Sequence, residues 1–129
     1  MSDNPVVHFE MPYDDSGRMR EFYETAFGWT TIPLGPEMGD YVVAQAAETD
    51  TENMVTQKGA INGGFAPRSV DNDRTNLVIA VADIARAMAD VEAAGGTVLG
   101  APVEIAGVGL YVHFTDTEGN RLSLLEPTQ

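Results

Sequence analysis

The chain contains no cysteine and two histidines, His8 and His113, and these are the side chains whose ordinary pKa lies near neutrality. His8 belongs to the run V-V-H-F-E-M at 6–11, bounded by Pro5 and Pro12. Apolar and polar residues alternate there with period two, which predicts a strand with His8 and Glu10 on one face and Val7, Phe9 and Met11 on the other. A carboxylate beside an imidazole raises its pKa and fixes its tautomer, and such a pair can act as a general base. The same pair can equally serve as an inert polar unit in the sheet interior. Around the second histidine, Tyr111, His113 and Thr115 alternate on one strand face. If that face is concave, they line a pocket with Arg121, Ser123 and Leu125 of the neighbouring strand; the opposite register turns them to solvent. His8, Glu10, Tyr111, His113 and Ser123 are therefore the candidate ligand-binding residues. No catalytic residue is assigned, because no Ser-His-Asp grouping has support beyond composition.

The elements that must hold these residues can be read from periodicity and punctuation. Asp14-Asp15-Ser16-Gly17 offers helix N-caps, and Met19, Phe22, Tyr23, Ala26 and Phe27 recur with the spacing of one helical stripe before Gly28. The aromatic residues of that stripe, with Trp29, are expected in the core. Strands are expected at 29–33, 41–46 and 60–66, the last carrying Asn62-Gly63-Gly64, with 54–56 ambiguous. A polar segment, 67–75, reads as a linker. Then come an apolar strand at 77–82, a helix at 84–94 opened by Asp83, strand pieces at 97–99 and 103–105 broken by Gly100 and Pro102, and strands at 110–115 and 121–126 around the turn D-T-E-G-N. The order is β-α-β-β-β twice. This predicts an α+β domain over 1–129, with one module at 5–66 and another at 76–127. Each module is too small to cover its own sheet.

Twenty acidic side chains face seven basic ones, a net charge of −13, and six of the seven bases are arginine. Such a surface repels phosphate backbones and anionic lipid, so neither nucleic acid nor membrane is an expected partner. It suits solubility, or a cationic ligand. No apolar run approaches the ~18 residues of a membrane span, and no signal peptide is visible, so a cytoplasmic protein is expected.

Three stretches resemble the vicinal oxygen chelate superfamily, the glyoxalase, bleomycin-resistance and extradiol dioxygenase group: V-V-H-F-E-M-P at 6–12, R-E-F-Y-E-T-A-F-G-W at 20–29, and F-T-D-T-E-G-N-R-L-S-L-L-E-P at 114–127. The resemblance implies a curved mixed sheet around a concave pocket and a homodimer. It also implies four metal-ligand positions, two from each module, commonly His and Glu. His8 matches the first. The second falls near Gly63, the third near Leu77 and the fourth at Ser123, so the metal site is expected to be mostly lost. Glu10, with His113, leaves room for a non-standard divalent site. Two functions compete: a small-molecule binding protein without the family metal, and a metal-dependent lyase or dioxygenase with an altered ligand set. A regulatory module that docks a peptide is a third.

Overall fold

A computed structural model describes residues 4–52 and 55–128. The chain divides into two compact units, His8–Thr75 and Asn76–Gln129 with Met1–Val7. Each has the expected element order. In the first unit β1 (Val6–Tyr13, whose first two residues belong to the second unit) is followed by α1 (Ser16–Phe27), β2 (Thr30–Pro33), β3 (Val42–Gln45) and β4 (Asn62–Pro67). In the second, β5 (Asn76–Ala80) is followed by α2 (Ile84–Ala93), β6 (Thr97–Ile105), β7 (Gly109–Thr115) and β8 (Arg121–Pro127). The strand orders are β2-β3-β4-β1 and β5-β8-β7-β6, antiparallel except for the parallel pairs β1–β4 and β5–β8. The fold class is α+β. Of the ambiguous segment, Met54 lies outside the described residues.

Register decides which side chains the helices cover. In the first unit Phe9, Met11 and Tyr13 pack with Val42, Ala44 and Phe65 beneath Met19, Tyr23 and Trp29. Val42 and Phe65 are fully buried, and each contributes roughly 1.5–3 kcal/mol. The side chain of Asp15 caps α1 by accepting from the Arg18 N–H at 2.9 Å, and Gly28 closes it at φ 71°. Arg20 Nε donates to Thr31 Oγ1 at 2.9 Å and Thr31 donates to Glu24, tying the helix to β2. Two residues of the aromatic stripe depart from expectation. Phe22 and Phe27 are 57% and 62% exposed. The stripe is wider than the sheet edge it covers, so Tyr23 and Trp29, stacked 4.7 Å apart, take the inner places.

In the second unit Ile84, Ala87, Met88 and Val91 lie on Val81, Val112, Phe114 and Leu124. The side chain of Asp83 accepts from the Arg86 N–H and Glu126 Oε1 from the Ile84 N–H, so two of the first free donors of α2 are satisfied. The two expected strand pieces are one strand, β6, whose register shifts between Leu99 and Val103. Gly100, at φ 98°, absorbs the irregularity.

Candidate functional site

Each unit keeps a polar cluster on the sheet face opposite its helix. In the first, β1 pairs with β4 so that His8 faces Asn62 and Glu10 faces Gly64. His8 and Glu10 share that face, as the alternation requires. Their side chains are 32% and 22% exposed, with His8 Nε2 and Glu10 Oε2 3.9 Å apart. Tyr41, just ahead of β3, joins them. Its hydroxyl lies 2.9 Å from His8 Nε2 and donates to Glu10 Oε2 at 3.0 Å. Burial pulls the His8 pKa below its ordinary 6.5, and the nearby Glu10 opposes this without cancelling it.

Tyr41 fits because of what β4 lacks. A Cβ built on Gly64 would lie 1.9 Å from the Tyr41 hydroxyl oxygen, and one on Gly63 would lie 2.5 Å from the Phe9 ring. The paired glycines thus leave room on both sides of the sheet: for a tyrosine on the polar face and a phenylalanine on the helix face. The sequence signal was present, since two glycines inside a strand imply close approach. Nothing in the local pattern named Tyr41 as the group approaching.

The second unit brings together Tyr111, His113 and Ser123, as expected from the pairing His113–Ser123 and Tyr111–Leu125. It adds Asn76, which sequence reasoning missed. Asn76 Nδ2 donates to Ser123 Oγ at 2.9 Å and to the Tyr111 hydroxyl at 3.2 Å. Ser123 Oγ lies 2.8 Å from His113 Nδ1, and Tyr111 and His113 meet edge to face. Ser123 and Asn76 are buried. The Ser123 hydroxyl is thus enclosed by Asn76 and His113 and is not presented to solvent. Glu126 points to the other side, as its odd offset from Ser123 requires, and caps α2. Two open crevices, of about 360 and 460 Å³, follow α1 in the first unit. Their linings meet at Arg18 and Phe22, and neither includes His8, Tyr41 or Glu10.

With this geometry in hand, comparison with known proteins decides the family. The Glyoxalase/Bleomycin resistance protein/Dioxygenase superfamily model matches residues 6–124. The chain belongs to this superfamily. Solved structures agree on the fold. A hypothetical protein from Bacillus halodurans C-125 is 14% identical with a TM-score of 0.69, covering 99% of this chain and 97% of its own. Methylmalonyl-CoA epimerase from Mycobacterium tuberculosis is 13% identical with a TM-score of 0.68, covering 100% and 93%. A variant of the Streptomyces coelicolor methylmalonyl-CoA epimerase, in complex with 2-nitronate-propionyl-CoA, is 16% identical with a TM-score of 0.70, covering 99% and 100%. No curated protein matches the chain.

At the positions where the resemblance sets metal ligands, His8 offers an imidazole, the Asn62–Gly64 stretch an amide and no carboxylate, the start of β5 Asn76 or Leu77, and position 123 a hydroxyl. In the first unit a Cβ at 64 would meet the Tyr41 hydroxyl, and in the second Asn76 bonds to Ser123. These donor types do not match the imidazole, carboxylate or thiolate set that holds a first-row divalent ion tightly. Among the described residues no three His, Asp or Glu side chains gather around a common point.

Proposed function

We propose that this chain binds a small organic molecule on the sheet face that carries His8, Tyr41 and Glu10, and that it does so without the superfamily's metal centre. The observation that supports this most directly is the Gly64–Tyr41 contact: a tyrosine hydroxyl lies where a Cβ at 64 would lie and joins His8 to Glu10. The net charge of −13 and the Glu10 carboxylate favour a cationic or neutral ligand over an anionic one. The epimerase neighbours bring CoA thioesters into the search, although their phosphates would meet this acidic surface unfavourably.

Elemental analysis of purified protein, before and after dialysis against Ni, Zn, Mn and Fe(II), tests the reading. Substoichiometric metal, unchanged in His8→Ala, is expected. Near-stoichiometric metal lost in His8→Ala would instead establish the lyase or dioxygenase alternative. A thermal-shift screen of cationic, aromatic and CoA-thioester compounds then identifies the ligand class.

The reading includes a homodimer formed through α1. Phe22 and Phe27 are too exposed for isolated core residues, and such patches mark contacts. Beyond the capping Asp15 carboxylate, the first turn of α1 holds Arg18 and no acid, and the last turn holds no base. An antiparallel second copy brings each Arg18 beside the other helix's C-terminal end, where a cation is favoured.

A further inference from the structure

His8 is held in a single tautomer. Tyr41 has one hydroxyl proton, and it goes to Glu10 Oε2. The same hydroxyl oxygen, 2.9 Å from His8 Nε2, is therefore an acceptor there, and Nε2 carries hydrogen. A neutral imidazole carries one ring hydrogen, so with that hydrogen on Nε2 the Nδ1 atom keeps its lone pair. Nδ1 has no partner among the described residues. Among those residues no side-chain nitrogen or oxygen is both buried and unpartnered, so Nδ1 is open to solvent.

We infer that His8 Nδ1 anchors the ligand of this face by accepting a hydrogen bond from an uncharged or cationic O–H or N–H group, and that Tyr41 is the positioning residue that fixes it as an acceptor. This rests on the reading of the face as a small-molecule site. It is the inverse of what a metal centre offers. A metal ion presents a Lewis acid to oxygen lone pairs, whereas this face presents a nitrogen lone pair, with the Glu10 carboxylate 3.9 Å from the other ring nitrogen. A carboxylate or phosphate meets repulsion here, and a hydroxyl, amide or ammonium finds an acceptor.

Imidazole ¹⁵N NMR of the full chain tests the tautomer without any ligand. Hydrogen on Nε2 and a bare Nδ1 are expected for His8 near neutral pH. In Tyr41→Phe the His8 signals should move toward the mixed tautomers of a free imidazole while the His113 signals stay in place. Hydrogen on Nδ1 of the wild-type protein, or no change in Tyr41→Phe, would overturn the positioning role and leave the small-molecule reading standing. Phenol and anisole then serve as matched probes, alike except for the O–H. Phenol should bind about tenfold tighter, the worth of one net hydrogen bond, shift the Nδ1 signal, and lose the advantage in His8→Ala. Equal binding of the two would refute the donor assignment, and benzoate binding as tightly as phenol would refute the charge assignment. The expected tautomer with none of the three probes binding would count against both the anchor and the small-molecule reading.

Discussion

A methyl group added at Gly64 would sit 1.9 Å from the Tyr41 hydroxyl, so Gly64→Ala must displace the ring that joins His8 to Glu10. A cost of about 1–3 kcal/mol is expected, the usual range for overpacking. Urea denaturation should show Gly64→Ala with Tyr41→Ala to be less destabilised than the sum of the two single variants, because the second change removes what the first collides with. His8 gives a pH dependence of definite sign. Its folded pKa lies below 6.5, so under acidic conditions the unfolded chain takes up a proton that the folded chain resists. This contribution is complete above pH 6.5 and is lost as pH falls through 6.5 toward the folded pKa. On acidification below 6.5 the melting temperature of the wild type should fall more steeply than that of His8→Asn. Period-two alternation made the His8–Glu10 pairing legible in the sequence. Tyr41 and Asn76 were not legible, because each reaches its partners across sequence separations of 31 to 47 residues.

At the scale of elements, short-range chemistry carried most of the information. Asp15 and Asp83 cap the helices they were expected to open, since a side-chain cap bonds within three residues. Asp83→Ala should cost about 1 kcal/mol by thermal or chemical denaturation, and Glu126 holds the neighbouring Ile84 N–H when the cap is gone. The break expected at Gly100 and Pro102 became a register shift within one strand. Pairing of β6 with β7 resumes from Val103 to Ile105 and outweighs the local irregularity. Phe22 and Phe27 show the converse limit. Helical spacing places them in a stripe with Tyr23, but the width of the sheet below decides how much of that stripe is covered.

At the scale of the whole molecule, the second copy proposed for α1 has a direct measurement. Light scattering on the size-exclusion eluate should give twice the 13.8 kDa chain mass for the wild type. Phe22→Glu should give the single-chain mass with an unchanged far-ultraviolet spectrum, because that side chain is more than half exposed in one chain. A monomeric wild type would remove the dimer from the proposal and leave the His8 face untouched. Among the described residues no helix is long and apolar enough to cross a membrane.

The sequence by itself determined the twice-repeated order of elements, the caps, and the sharing of a face by His8 with Glu10 and by Tyr111 with His113. These depend on periodicity and on contacts a few residues long, which are written locally. Tertiary structure decided the register of β4 and β5. A shift of one residue there exchanges Gly63 for Gly64 and Leu77 for Asn76. That choice puts the Tyr41 hydroxyl where a Cβ at 64 would lie and the Asn76 amide against Ser123. It is set by which face of each strand packs beneath its helix, a condition satisfied only when distant strands meet.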